Sequence, residues 1–371
     1  MEEKRRKGLL RTGFTTGTCA CAAAKSSLLF LITGKQYCEI PVTLPKGKKI
    51  DITLAWVKKN NDGSATASVI KDGGDDPDVT HGHEICSTVD IIPSFNQPGT
   101  IIIDGGVGVG RVTKPGLGLE IGSAAINPVP KKMILQAVSE VTTAEFLKKN
   151  TIKIIVSVPD GIELAKKTDN PRLGIMGGIS ILGTSGIVYP FSTASFAASI
   201  RQSIDVSLAL GTTTLVLTTG GRSEDFAKEL FGNQIPDHGY IQIGDFSGYS
   251  VKQCSIKNVK KVIIAGFIGK LTKMAMGIKQ THVRGSHVSM EFMAGLASKC
   301  GASQTVVELI NAANTARHVS EIIQQNNVEG FFSLICKNVY EQMYEHAGKN
   351  MEIEVIMFEF DGKIRSRYPE K

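Results

Sequence analysis

The sequence predicts a two-domain protein of mixed fold. The first domain, residues 1–150, is expected to be α+β, and the second, 151–371, α/β with a mainly parallel sheet. Three observations predict this. The chain has 371 residues, 42% hydrophobic and 21% charged, which suffices for two buried cores of ordinary globular composition. Before residue 150, strand-like segments follow one another between two long helical stretches. After it, strand and helix alternate across short loops, the mark of βαβ units.

Each element has a local reason. Thr15-Thr16-Gly17-Thr18 precedes the Ala-rich run Cys19–Ile32, so a helix is expected with Thr16 or Thr18 as N-cap and Gly34 as C-cap. Cys38–Leu44, Lys49–Lys58 and Ala65–Ile70 read as strands, with Asp62-Gly63 as a hairpin turn. Glu84–Ile92 and Thr100–Ile103 read as further strands. Asn127-Pro128 opens a helix to about Lys149. In the second half, strands are expected at Thr151–Val158, Thr213–Leu217, Tyr240–Ile243, Lys261–Ala265 and Glu352–Phe360. Helices are expected at Phe191–Leu208, from Ser223, near Tyr249–Asn258, from Gly266–Gly269, and over most of the chain to Glu345.

Composition narrows the function. Lys plus Arg number 42 against 35 Asp plus Glu, a net charge of +7. Aromatics are scarce and basic runs absent beyond Lys4–Lys7, which argues against nucleic acid and fits an acidic small molecule. The seven cysteines are scattered without a CxxC, so neither a zinc cage nor a disulfide framework is expected. No apolar segment follows the basic start, and no run approaches about 18 apolar residues, so neither a signal peptide nor a membrane span is expected. The cytoplasm is the expected location.

Four motifs carry chemistry. The start of the first helix, Thr15, Thr16 and Thr18 with Arg11, offers N–H groups and hydroxyls to a carboxylate or phosphate, or simply caps a buried helix. The loop Asp72–Asp78 with His81 and His83 is acidic but lacks calcium-loop spacing, and His81 and His83 lack a third metal ligand, so no protein metal is expected. In it, Asp75 is a candidate substrate contact and His81 a candidate base. Gly105–Gly122 carries seven glycines but fails the G-x-G-x-x-G test. Its glycines admit a large flat ligand or make bulges; Asp104 is a candidate general base, and Arg111 and Lys114 are candidate carboxylate partners. Thr218-Thr219-Gly220-Gly221, with Ser223 opening a helix and Asp245 at the next strand end, reads as an adenosyl pocket.

Gly13–Cys19, Lys71–Gly82 and Gly105–Pro128 together resemble the cobalt-precorrin-5B C(1)-methyltransferase family of anaerobic cobalamin biosynthesis, as do Gly183–Ile187, Gly269–Lys273 and Gly277–His282. The resemblance runs from about Arg11 to Phe360. It departs at Phe267, where the family usually has His, and at Val283–His287, where it has an Asp-Gly pair. It implies methyl transfer from S-adenosyl-L-methionine to C-1 of cobalt-precorrin-5B, giving cobalt-precorrin-6A. It also implies a cobalt-containing acidic tetrapyrrole as partner and a first domain resembling the second domain of ribosomal protein S5. Thr15, Thr16, Thr18, Asp75, Arg111 and Lys114 are then expected to face the macrocycle. Thr218, Thr219, Gly220, Gly221, Ser223 and Asp245 are expected to face the donor. A homo-oligomer is compatible with the chain. A non-catalytic tetrapyrrole carrier is the competing reading, and a small-molecule kinase fails for want of a phosphate loop.

Overall fold

Small residues fill the first helix, Thr16–Thr33, because it is buried on nearly every side from Thr16 to Leu28. Gly17 lies so close to the helix Pro128–Val141 that a Cβ there would come within 2.6 Å of the Pro130 ring. Gly34 ends the helix in the left-handed region, as its sequence predicts. The cap is Thr15, whose hydroxyl accepts from Thr18 N–H, and not Thr16 or Thr18. Contrary to the sequence expectation, this helix is long and apolar enough to cross a membrane by length and composition; 72% of it is buried as a core helix.

The chain is a computed structural model describing residues 10–95, 98–282 and 287–370. It divides into two units, one ending at Thr193 and one beginning at Ala194. The division therefore falls at 193 where 150 was expected, and the first element this returns to the first unit is a strand. Asn150–Ser157 lies inside the first unit's sheet, antiparallel to Glu84–Pro93 and parallel to Ile101–Gly105. Its alternate residues Ile152, Ile154 and Val156 are fully buried, so it is a core strand of the first unit. That sheet runs Trp56–Lys59, Ala65–Ile70, Glu84–Pro93, Asn150–Ser157, Ile101–Gly105. The expected single strand Lys49–Lys58 is two, because Lys49–Thr53 pairs instead with Glu39–Thr43. The helix expected to reach Lys149 breaks at Thr142-Thr143, where Thr143 caps a second helix, Ala144–Lys149.

The stretch after residue 157 returns to the first unit. Ile175-Met176 pairs with Arg111-Val112, Gly178-Ile179 with Gly108-Val109, and Ile187-Val188 with Gly13-Phe14.

The second unit has a five-stranded sheet in the order Tyr240–Gln242, Thr214–Thr218, Lys261–Phe267, Glu352–Phe358, Ile364–Tyr368. The first four are parallel and the last, missed in the sequence, is antiparallel. Numbered along the chain this is 2-1-3-4-5, a doubly wound order whose switch point lies between Thr214–Thr218 and Lys261–Phe267. Both sheets are therefore of the mixed kind, and the second is mainly parallel as expected.

Candidate active site

In the first unit the acidic loop is a clasp. Arg11 forms a two-toothed ion pair with Asp72, and Asp75 accepts from the Arg11 backbone N–H at 2.9 Å. Asp76 accepts from Phe191 N–H at 2.7 Å. Buried Lys71 meets Asp78 at 2.6 Å. Backbone approaches backbone here: a Cβ on Gly13 would sit 2.2 Å from Gly73 and one on Gly74 2.3 Å from the Arg11 carbonyl. The loop's charges thus hold the N-terminal segment and the residues near Phe191 in place.

The candidate bases are both engaged. His81 Nδ1 accepts from Gly73 N–H at 2.9 Å. That places the proton of the neutral ring on Nε2 and leaves no lone pair for a substrate proton. His83 turns elsewhere, its Nδ1 2.8 Å from Asp160. Asp104 is gripped by Arg111, Nη1 to Oδ1 at 2.6 Å and Nη2 to Oδ2 at 3.0 Å. The Arg111 guanidinium holds the Asp104 carboxyl below the usual carboxylate range. Two residues expected to act separately are therefore one pair. Lys114 donates to the Arg172 carbonyl at 3.1 Å.

The threonines are inward. Thr16 Oγ1 donates toward the Ser180 and Leu182 carbonyls and accepts from Leu182 N–H at 2.9 Å, and Thr18 Oγ1 donates to the Gly186 carbonyl at 2.7 Å. Thr15, Thr16 and Thr18 are all buried. Gly108 and Gly110 of the 105–110 loop pack against neighbouring backbone. A Cβ on Gly108 would strike the Val158 carbonyl at 1.8 Å, and one on Gly110 the Gly178 carbonyl at 2.8 Å. Close packing of backbone on backbone is thus what these glycines permit here, a role beyond the two readings, flat ligand or bulge, that the sequence offered. Cys19 and Cys21 are core thiols, pushed up to about 12 by burial and so inert near neutrality.

In the second unit, the switch point gathers the other candidates. Thr218 and Thr219 are buried, and Ser223 closes the turn, accepting from Gly220 N–H at 3.1 Å and donating to the Gly220 carbonyl at 2.8 Å. The helix begins at Gly221, two residues before the expected start. A Cβ on Gly220 would meet open space, and one on Gly221 only the Gln242 amide at 3.7 Å. Asp245 stands at the neighbouring strand end. The sequence reading missed what holds it. Lys270, in the helix Ile268–Ala275, reaches Asp245 Oδ1 at 3.1 Å, the Thr219 carbonyl at 2.8 Å and the Gly244 carbonyl at 3.2 Å. Thr281 Oγ1 lies 3.3 Å from the same Oδ1. Both of these contacts to the Asp245 carboxylate fall on Oδ1. Only the Gly269–Lys273 motif could have signalled this lysine. Phe267 stacks on Phe360 at 5.1 Å; of the second departure, Val283–Ser286 lie outside the described residues.

A family model described as CbiD matches residues 2–190, and one described as CbiD, C-terminal domain, matches 280–369. The chain belongs to the CbiD family. Two relatives in this family are named cobalt-precorrin-5B C(1)-methyltransferase. The one from Geobacillus kaustophilus (strain HTA426) is 45% identical over 357 residues, 96% of this chain and 94% of that one. The one from Priestia megaterium is 44% identical over 353 residues, 95% of this chain and 94% of that one. A crystal structure of the cobalamin biosynthesis protein (cbiD) from Archaeoglobus fulgidus is 25% identical and covers 88% of this chain and 90% of that one, with a TM-score of 0.38. The CbiD model that begins at residue 2 ends at 190, close to the division at Thr193. Among the described residues no three His, Cys, Asp or Glu side chains cluster as a metal site.

Proposed function

We propose that this chain methylates C-1 of cobalt-precorrin-5B with S-adenosyl-L-methionine as donor, giving cobalt-precorrin-6A, in the cytoplasm. The observation that carries the reading is the family membership, with near-full-length relatives named cobalt-precorrin-5B C(1)-methyltransferase. The second unit would bind the donor, and the first, which we read as resembling the second domain of ribosomal protein S5, would bind the macrocycle. Cobalt enters within the substrate.

The residues at the switch point fit an adenosyl group. Gly220 and Gly221 present backbone without side chains to open space, and Asp245, held through Oδ1, would offer Oδ2 to a ribose hydroxyl. Thr218, Thr219 and Ser223 shape the turn from beneath. The donor, when bound, supplies an electrophilic methyl on a sulfonium, and its transfer is an in-line displacement. The chain's part is to align donor and ring carbon and exclude water.

In the first unit, Arg111 would move from Asp104 to a peripheral carboxylate of the macrocycle. That exchange would release Asp104, whose proton affinity rises when its cation leaves, for any proton the ring gives up. Thr15, Thr16 and Thr18 would act indirectly, by holding residues 180–186 in place, and Asp75 by fixing Arg11. Calorimetric titration with S-adenosylhomocysteine, followed by mass analysis of cobalt-precorrin-5B turnover, tests the reading. A saturable donor site and a product one methyl heavier are expected. A chain that binds macrocycle but not S-adenosylhomocysteine is a carrier instead.

A further inference from the structure

The carboxyl ends of the second unit's central strands carry a cluster that neither the sequence motifs nor the donor pocket uses. Phe267 ends the strand Lys261–Phe267, and Phe360 follows the neighbouring strand Glu352–Phe358. Their rings stack at 5.1 Å with planes 6° apart. Phe226 meets Phe267 edge-on at 6.2 Å. Arg222, second residue of the helix Gly221–Phe231, lies 5.7, 6.0 and 5.8 Å from the Phe226, Phe267 and Phe360 ring centres. Arg317, from the helix Ala316–Gln325, lies 5.2 Å from the Phe360 ring.

Two guanidinium groups thus share one aromatic platform, half-buried at Phe226 and Phe267 and exposed at Phe360, and their charges are poorly matched within the protein. Arg222 donates to the Phe360 carbonyl and forms no ion pair among the described residues. Among the described residues Arg317 forms one ion pair, with Glu321 one turn along its own helix, through Nε at 3.2 Å. The nearby acids are taken or turned away: Glu359 pairs with Arg365, Asp361 with Lys363, and Asp225 pairs with neither arginine. Rings hold a guanidinium by its face and leave its N–H edge free. A planar fork presented in that way matches a carboxylate.

We propose that Arg222 and Arg317, mounted on Phe226, Phe267 and Phe360, form a carboxylate-binding subsite for the acidic macrocycle in the second unit. The inference rests on the donor reading above. Gly266 packs against Thr219, where an added Cβ would come within 2.8 Å, so the platform adjoins the turn assigned to the donor. Methyl transfer requires the ring carbon to reach that place, and a substrate rich in carboxylates needs cations there that the protein has not already neutralised.

The test titrates the full chain with uroporphyrin, a planar tetrapyrrole bearing eight carboxylates, by absorbance. The same samples are titrated with S-adenosylhomocysteine. Arg222→Gln, Arg317→Gln and the double variant are compared with the parent and with Lys149→Gln, a surface control. The proposal expects each single variant to bind the porphyrin several-fold more weakly and the double variant at least about tenfold more weakly. S-adenosylhomocysteine affinity should stay within about twofold in the variants. Rescue in Arg222→Lys should be partial, since charge returns without the fork. A folded double variant with parental porphyrin affinity overturns the proposal, as does a parent that binds no porphyrin. If Arg222→Gln does not fold, parental affinity in the exposed Arg317→Gln variant overturns it alone. Arginine-dependent porphyrin binding in a parent that binds no S-adenosylhomocysteine supports the subsite and overturns only the donor assignment.

Discussion

Lys71 has almost no exposed surface, and among the described residues its ammonium is matched by Asp78 alone. Burial would raise the Asp78 carboxyl, but the charge and hydrogen bond of Lys71, with Thr80, outweigh it and hold the carboxyl below its ordinary value. Asp78→Ala strands a buried cation, a loss of about 3–5 kcal/mol; urea unfolding should register it, and Lys71→Met added to it should recover part. The pH dependence follows in sign. Asp78 binds its proton more weakly folded than unfolded, so its contribution is complete above the ordinary carboxylate range and is lost as pH falls through the folded value. Asp78→Asn should therefore flatten the acid limb of the stability curve. Asp104 and Arg111 are both near half-exposed, so their pair adds at most about 1 kcal/mol and Asp104→Asn should leave the thermal midpoint nearly unchanged. If Asp104 takes a ring proton, that variant should bind both ligands and turn over about 10²-fold more slowly. Parental turnover would remove Asp104 from the role. Arg111→Ala should weaken macrocycle binding and leave S-adenosylhomocysteine affinity alone.

At the scale of the element, the helix starts and glycine turns decide what was legible. Gly34 as C-cap, the Asp62-Gly63 turn and the strand Ala65–Ile70 follow from local rules and stand as read. The clasp of Asp72–Asp78 does not, because its partners Arg11 and Phe191 are far apart along the chain. Lys270 was missed for the same reason: its three acceptors belong to two other loops. That convergence makes a prediction. Lys270→Met should free Asp245 and loosen both glycine turns, raising the donor KM about tenfold with a smaller change in kcat, and Lys270→Arg should restore part of the loss. Gly221→Val places its side chain in open space, so it should fold normally yet bind S-adenosylhomocysteine at least about tenfold more weakly by calorimetry. Parental affinity in that folded variant would move the donor site elsewhere.

At the scale of the whole molecule, alternation of strand and helix predicts a mainly parallel sheet. The second unit has a mixed one, with four parallel strands and one antiparallel, beginning later in the chain than the pattern predicts. Asn150–Ser157 has the apolar pattern of a buried strand, and it is one, parallel to Ile101–Gly105 and antiparallel to Glu84–Pro93. Pattern alone cannot say which sheet a buried strand joins, since partner choice depends on contacts distant in sequence. The same holds for Ile175–Val188, whose three short pairings all lie with residues before 113. These pairings fix where the first unit can be cut. A chain ending at residue 150 loses the strand between Glu84–Pro93 and Ile101–Gly105, together with Ile152, Ile154 and Val156. It also unmakes the acceptors of Thr16 and Thr18, leaving buried hydroxyls unmatched at about 1–3 kcal/mol each. Against a total stability of about 5–15 kcal/mol such losses are decisive. Residues 1–150 should therefore show no cooperative thermal transition, whereas residues 1–193, which retain every one of these pairings, should unfold cooperatively. A cooperative transition in the shorter chain would mean that Asn150–Ser157 is dispensable to the first core, and the division at Thr193 would lose its physical basis.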